Sequence, residues 1–274
     1  EKPIVQEEDQ TAVRRLNQLT GPFILRRMKS DVLKELPPKT ENVYRIELEE
    51  EQRKLYLAAV VDAREKLRAA KPEDKMAVFA VLMRLREICC DPRLVADNWD
   101  GGSAKLDACM ELVTAAVEGG HRILLFSQFT SMLELLAKRL DAEGVSHFTL
   151  QGSTPKPVRA ELVRRFNGGE ASVFLISLRA GGTGLNLTAA DIVIHYDPWW
   201  NLAAQNQATD RAYRIGQRNP VQVYRLIAQD TIEEKIVELQ QAKQSLADTV
   251  TGGADGAILS MNPEQLLQLL GEEA

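Results

Sequence analysis

Two arginines stand at the centre of a polar segment in the last third of the chain. The segment Gln205–Gln217 reads Gln-Asn-Gln-Ala-Thr-Asp-Arg-Ala-Tyr-Arg-Ile-Gly-Gln. If it is helical, spacings of three and four residues place Gln207, Asp210, Arg211 and Arg214 on one face. A guanidinium keeps its charge and offers a planar fork of donors, so this face could bind one anionic target. A solvated helix face carrying an Asp–Arg pair would show the same pattern.

The elements that must position these arginines follow an alternating pattern of short apolar runs and amphipathic helices. Near-continuous apolar runs are typical of a mainly parallel sheet covered by helices on both faces, so we predict a doubly wound α/β domain. The predicted strands are Arg122–Ser127, His147–Gln151, Val173–Leu178, Asp191–Asp197 and Val221–Ala228. The predicted helices are Ala104–Glu118, which Ser103 could cap, and Met132–Glu143, Pro157–Phe166 and Ala203–Arg214.

Small, hydroxyl and amide residues follow four of these strands. In an open α/β sheet, ligands bind outside the carboxyl ends of the strands, and small residues let backbone N–H groups approach phosphate oxygens. The stretches concerned are Ser127–Phe129, Gly152–Thr154, Leu178–Asn186 and Asp197–Asn201. The Gly181–Gly184 run is not followed by the Lys-Ser or Lys-Thr of a Walker loop. The pattern therefore indicates half of a nucleotide site.

The sequence divides into four predicted regions, at residues 1–48, 49–100, 101–228 and 229–274. The first holds two short helices within residues 10–35 and an alternating strand at Asn42–Leu48, whose sheet partners we expect outside this chain because helical segments flank it. The second is a helical hairpin of Glu49–Ala70 and Lys75–Cys90. The third is the α/β domain, and the fourth is an acidic tail with a packing helix at Thr231–Val250.

The distribution of charge indicates which kinds of partner are possible, and the spacing of the cysteines indicates the cellular compartment. Residues 229–274 contain nine acids and two lysines, a net charge of -7, so the rest of the chain is at +2 although the total is -5. Acidity therefore belongs to the tail and does not exclude a nucleic-acid partner.

Cys89, Cys90 and Cys109 lack zinc-ligand or disulfide-framework spacing and are interpreted as buried apolar residues. We expect no metal site formed by this chain, no membrane segment and a cytoplasmic location, or a nuclear one in a eukaryote.

Several motifs together resemble the second RecA-like motor lobe of the Swi/Snf family of ATPases, in helicase superfamily two. The compact ending at Leu266–Ala274 leads us to expect a bacterial member. The resemblance rests on Arg122–Phe129, Gly152–Pro155, Ser177–Leu187, Asp197–Asn201 and Gln207–Gln217, with further similarity at Pro22–Arg27, Leu36–Lys39, Ile88–Pro92 and Thr231–Ile236. It extends over nearly the whole chain. It implies an ATP-dependent translocase on double-stranded DNA that remodels protein–DNA complexes.

The same resemblance implies a role for each motif. ATP with Mg²⁺ would be held mainly by a first motor lobe of the same polypeptide, which carries the lysine loop and acidic box that this chain lacks. This chain alone is therefore expected to be inactive. Separately, we expect it to be a monomer. Arg211 and Arg214 would act as arginine fingers, and Gln207 would orient Arg211. Further nucleotide contacts would come from Gly182, Gly184 and Asn186. Contacts to the DNA backbone would come from Ser127, Gln128, Gly152, Ser153, Arg179, Gly181 and Thr183. Trp199 and Trp200 would couple the two sites.

Two other functions remain open from the residues alone. One is a self-contained α/β transferase that binds its cofactor at Gly181–Gly184. The other is a protein-interaction module that acts through the acidic tail.

Overall fold

A six-stranded, entirely parallel β-sheet with helices on both faces forms the centre of the molecule. The computed structural model describes residues 36–181, 184–249 and 261–271. The two helices predicted within residues 10–35, and the predicted contacts Gly182 and Thr183, lie outside these residues. The strand order is β1-β6-β5-β2-β4-β3. The predicted doubly wound α/β class is confirmed.

The elements follow one another in the predicted alternation. The strands are β1 (Lys39–Ile46), β2 (Ile123–Ser127), β3 (His147–Leu150), β4 (Val173–Ser177), β5 (Ile192–His195) and β6 (Val221–Ala228). The helices are α1 (Glu50–Ala69), α2 (Lys75–Cys90), α3 (Ala104–Glu118), α4 (Thr130–Ala142), α5 (Lys156–Asn167), α6 (Leu178–Gly181), α7 (Leu202–Thr209), α8 (Ile232–Thr249) and α9 (Pro263–Leu269), with a 3₁₀ turn at Pro92–Leu94.

Strand β1 corrects one prediction. It was expected to find its sheet partners outside the chain, but it pairs in parallel with β6 from Lys39 opposite Val221 to Ile46 opposite Ala228. The isolation of the strand in sequence is misleading because a parallel pairing needs only a crossover connection, and here the crossover is most of the domain. The strand therefore belongs to the same sheet as β6, the strand that follows the arginine segment.

Alternating residues of the central strands supply two separate cores. Ile123 and Leu125 of β2 face one layer, in which α3 and α4 pack, whereas Leu124 and Phe126 face the layer that includes Phe166 of α5. Because both faces are covered, all five residues of β2 are buried, which explains its continuous apolar sequence. The sheet is thus fixed from both sides, and its carboxyl edge is left for the loops.

A third core joins the α1–α2 hairpin to the C-terminal helices. Leu67 and Leu82 pack there with Ile232 and Ile236 of α8 and Leu266 of α9. All three cysteines are free and buried, as expected. No helix in the described part of the chain is long and apolar enough to cross a bilayer.

Ser103 precedes α3 but does not cap it. Its hydroxyl donates instead to the Cys90 carbonyl, at 3.1 Å, so the predicted cap is wrong. Gln52 of α1 reaches the same region, with its amide nitrogen donating to the Ile88 carbonyl at 2.9 Å. The Ser103 bond joins the end of α2 to the start of the α/β domain, and the Gln52 bond joins α1 to α2.

Candidate functional site

A cleft of about 1080 Å³ lies at the carboxyl edge of the sheet. The loops after β2, β3, β4 and β5 line it on the sheet side, and helix α2 lines the opposite side. Polar groups in the lining include Gln128, Gly152, Ser153 and Arg179. Four of the predicted DNA contacts are therefore brought to one surface, and Gly152, Ser153 and Arg179 are exposed.

Gly152 is open to solvent in a way that bears on ligand approach. A Cβ atom added there would meet no heavy atom within 4 Å, and its φ is not in the left-handed region. Neither packing nor backbone conformation within the described structure demands glycine at this position. A residue without a side chain leaves the backbone at this position accessible to close approach.

The side chain of Ser127 is not placed to contact DNA. Its side chain is fully buried, and its hydroxyl donates to Asp197 Oδ1 at 2.6 Å. The same carboxylate oxygen accepts the Gln128 backbone N–H at 3.2 Å, and Ser127 Oγ accepts the Phe129 N–H at 3.1 Å. Ser127 therefore shapes the loop that presents Gln128, and its own hydroxyl is not available to a phosphate here.

Asp197 is the buried acid at the centre of this loop. Burial raises its pKa, while Arg86 and the Ser127 hydroxyl favour the charged form. Arg86 Nη2 lies 3.1 Å from Asp197 Oδ2, and both side chains are fully buried. Because both charges are removed from water, loss of either side chain would leave the other charge buried without compensation.

The segment after helix α7 corrects a second prediction. The helix ends at Thr209, so Gln207, Arg211 and Arg214 do not share a helical face. Tight turns follow because the Arg211 carbonyl accepts the Leu187 N–H, at 3.0 Å, and so leaves the helical hydrogen-bond pattern. Gly216 then adopts a φ of 102°, which a residue with a side chain rarely adopts.

Gln217 fixes the turns that carry the arginines. Its amide nitrogen donates to the carbonyls of Ala190 and Ala212, at 2.7 and 3.2 Å. Its amide oxygen accepts the backbone N–H groups of Arg218 and Asn219, at 2.8 and 2.9 Å. A single buried side chain thus replaces the hydrogen bonds that the ended helix no longer supplies.

The two arginines differ in their surroundings. Arg211 is 7% exposed, and its Nε is buried with no hydrogen-bond partner among the described residues. Burial, with a smaller contribution from Arg214, lowers the pKa of Arg211. Arg214 is exposed, and its Nη1 donates to the Leu185 carbonyl at 3.4 Å. Both guanidinium groups therefore keep donors for an anionic ligand.

The loop at residues 184–187 is bonded to the arginine segment at two points, through Leu185 and Leu187. Gly184 and Asn186 are exposed beside these bonds. Four of the five predicted nucleotide contacts, Gly184, Asn186, Arg211 and Arg214, thus belong to two directly bonded segments. Gln207 is exposed, and the structure shows no hydrogen bond from its side chain to Arg211.

Helix α7 connects this segment to the cleft. Asn201, which lines the cleft, caps the helix by accepting the Ala204 N–H at 2.9 Å. Trp199 and Trp200 line the cleft just before it and are both partly buried, with ring centroids 5.6 Å apart. Gln240 of α8 donates to the Trp199 carbonyl. The tryptophans therefore form part of the cleft wall, directly before the helix that leads to the arginine segment.

The sequence did not indicate the roles of three buried residues that organise these sites. They are Arg86, which bonds to Asp197, His195, which lies against Thr209, and Gln217, whose side chain holds the arginine turns. A buried arginine and a buried histidine give no periodic signal, since their positions in an apolar run look like interruptions of a helix or strand. Gln217 stood at the end of the polar segment, but its role depends on turns that only the structure reveals. The described residues contain no cluster of acids, histidines and cysteines that could hold a metal.

Fold and site together define a RecA-like α/β lobe with a cleft at the carboxyl edge of its sheet and two arginines beyond the end of helix α7. Two domain profiles match the sequence: the SNF2-related domain at residues 1–94 and the helicase conserved C-terminal domain at residues 104–216. The chain therefore belongs to the Swi/Snf family of helicase-related ATPases.

Known relatives include an ATP-dependent helicase and a SWI/SNF-related protein. An uncharacterised ATP-dependent helicase of Mycoplasma genitalium is 38% identical over 267 residues, which is 96% of this chain and 26% of the relative. The mouse SWI/SNF-related matrix-associated actin-dependent regulator of chromatin subfamily A member 1 is 39% identical over 255 residues, or 88% of this chain and 24% of the relative. The chain thus spans about a quarter of the length of these relatives.

Solved structures agree on the fold. The Sulfolobus solfataricus SWI2/SNF2 ATPase core in complex with double-stranded DNA is 30% identical, with a TM-score of 0.73 over 98% of this chain and 58% of that one. The separate C-terminal domain of the Sulfolobus solfataricus SWI2/SNF2 ATPase is 27% identical, with a TM-score of 0.71 over 86% of this chain and 100% of that domain.

Proposed function

We propose that this chain is the second motor lobe of an ATP-dependent double-stranded DNA translocase that remodels protein–DNA complexes. One observation supports this proposal most strongly. The cleft and the arginine segment lie at the two ends of the same eight-residue helix, α7. A partner held in the cleft and an anion held by the arginines would therefore act on one short rigid element.

The cleft would hold the phosphate backbone of DNA. Gln128, Gly152, Ser153 and Arg179 offer amide, backbone, hydroxyl and guanidinium donors. Such contacts position a duplex without reading its sequence, which a translocase needs because it must step along any sequence. Ser127 would contribute indirectly, by holding the loop at Gln128 through Asp197.

The arginine segment would complete a nucleotide site formed with a first motor lobe. The fit is good because Arg211 has a buried donor with no partner among the described residues and Arg214 presents an exposed guanidinium. ATP, with Mg²⁺ held mainly by the first lobe, would supply the phosphoryl group whose hydrolysis drives movement. Arg211 and Arg214 would neutralise the negative charge at that group, and Gly184 and Asn186 would line the same surface.

A triplex-displacement assay tests the translocase. The full-length protein that contains this chain is given ATP and a duplex carrying a third, triplex-forming strand. We expect displacement of the third strand without separation of the duplex, and none with a non-hydrolysable ATP analogue. Hydrolysis of ATP that leaves the third strand bound would contradict translocation.

A further inference from the structure

Arg86 is a fully buried arginine that crosses between two parts of the fold. It lies on α2 of the helical hairpin, and its two hydrogen-bond acceptors lie more than a hundred residues away, after β5. Its Nη2 donates to Asp197 Oδ2 at 3.1 Å and to the Pro198 carbonyl at 2.5 Å. The hairpin is thus bonded to the segment that leads into Trp199 and Trp200.

The effect of Arg86 extends through Asp197 to the loop after β2. One carboxylate oxygen of Asp197 faces Arg86, and the other accepts from the Ser127 hydroxyl and the Gln128 N–H, at 2.6 and 3.2 Å. The orientation of this carboxylate therefore depends on Arg86 at one oxygen and on Ser127 and Gln128 at the other. A shift of Arg86 would move the acceptor that holds the Gln128 loop.

Arg86 also supports the aromatic wall of the cleft. Its guanidinium carbon lies 4.2 Å from the centroid of the Trp200 ring and 5.4 Å from that of Phe129. Nε and Nη1 of Arg86 are buried without a hydrogen-bond partner among the described residues, so these cation–π contacts are what remains for that part of the group. Both rings line the cleft.

We propose that Arg86 is a positioning residue, through which the helical hairpin sets the geometry of the Gln128 loop and of Trp200 for DNA. This inference rests on the proposed function of the cleft. Stability alone does not explain a guanidinium here, because a buried ion pair is often no more stabilising than apolar side chains of the same size. An apolar residue could fill the volume, but it could not orient a carboxylate, a carbonyl and an indole together.

The test compares Arg86→Met with a matched variant of another buried ion pair in the full-length protein. Lys105 and Glu233 are also fully buried and ion-paired, and neither lines the cleft, so Lys105→Met is the control. A second variant, Arg86→Met with Asp197→Asn, removes both charges. The amide oxygen in that variant can still accept from Ser127 and Gln128, so folding is preserved if the single variant proves unstable.

Two readouts separate positioning from structural support. The first is the DNA concentration that gives half-maximal ATP hydrolysis. We expect Arg86→Met and the double variant to raise it about tenfold, with a smaller change in the maximal rate, because small displacements of contacting groups weaken binding strongly. The second is amide hydrogen exchange at Gln128 and Phe129, which should become faster in both variants relative to the rest of the sheet.

The control and the outcomes are distinct. Lys105→Met should lower stability but leave the half-maximal DNA concentration and the exchange at Gln128 unchanged. Arg86 variants that behave like Lys105→Met overturn the inference, and they leave the proposed function intact if Gln128→Ala and Arg179→Ala still weaken DNA dependence. If those cleft variants have no effect, the proposed function fails and the inference fails with it. Unchanged exchange at Gln128 overturns the inference whatever the DNA result.

Discussion

His195 Nε2 lies 2.9 Å from the hydroxyl oxygen of Thr209, in the buried layer beneath the arginine segment. His195 ends strand β5, two residues before Asp197, and Thr209 ends helix α7, two residues before Arg211. The imidazole also stacks on Phe126, at 5.6 Å between centroids. The strand that leads to the cleft is therefore tied directly to the point at which the arginine turns begin.

Burial of His195 predicts a pH-dependent stability. Burial, with a smaller effect of Arg225, lowers the pKa of His195 to about 3. Below pH 6.5 the unfolded chain binds a proton that the folded chain refuses until about pH 3, so stability falls as the pH is lowered. We expect His195 to cost the folded protein about 1.4 kcal/mol for each pH unit in this window.

Urea unfolding of the native chain and of His195→Gln at several pH values between 6.5 and 4.5 checks this prediction. Glutamine retains a donor toward Thr209 but does not titrate, so the variant should lose less stability on acidification than the native chain. Groups whose pKa burial raises, such as Asp197 and Glu233, act in both proteins and cancel in the comparison. Parallel pH profiles would show that His195 titrates normally in the folded state.

The buried pair of Lys105 and Glu233 predicts a strong non-additivity. Lys105 Nζ donates to Glu233 Oε2, which also accepts the Ala228 N–H at 2.8 Å, and so ties α3 to the start of α8. Removing one charge leaves the other buried without compensation, so Lys105→Met and Glu233→Gln should each cost about 3–5 kcal/mol. The double variant should recover much of that loss in urea unfolding. A double variant whose loss equals the sum of the two would contradict a mutually dependent pair.

The exposed guanidinium of Arg179 predicts a specific salt dependence. If it contacts one phosphate, Arg179→Ala should weaken DNA binding about equally for different sequences and reduce the slope of log affinity against log salt by about 1. Arg164→Ala is the matched control, since Arg164 is an exposed arginine paired with Glu161 at 2.5 Å on helix α5. Fluorescence anisotropy of two unrelated duplexes over a range of salt concentrations measures both quantities. An unchanged slope for Arg179→Ala would show that Arg179 does not contact a DNA phosphate.

Much of the fold could be predicted because the spacing of apolar residues along the sequence indicates which residues are buried. Strand β6 was predicted at its observed bounds, and so was helix α2, since each has the hydrophobic pattern of its element over its full length. The pairing of β1 could not be predicted, because a parallel partner almost two hundred residues away leaves no local signal. Local pattern shows what an element is, but not which element lies beside it.

The site was predictable in its residue types but not in its construction. The sequence indicated Arg211 and Arg214, yet placed them on one helical face that ends at Thr209 in the structure. The helix stops because the Leu187 N–H, from another loop, and the Gln217 side chain, from the end of the same segment, make hydrogen bonds that compete with the helical ones. Ser127 was expected to contact the DNA backbone, but in the structure its hydroxyl donates to the buried carboxylate of Asp197.

The most direct test of the central claim measures ATP hydrolysis and DNA affinity together for Arg211→Ala and Arg214→Ala in the full-length protein. Arg218→Ala, at the exposed arginine directly after the segment, is the control. Loss of a finger should lower DNA-stimulated hydrolysis about 10³-fold or more, while the affinity for DNA changes less than about twofold. The control should hydrolyse ATP like the native protein. Arginine variants that lose DNA binding but keep their hydrolysis rate would contradict the account.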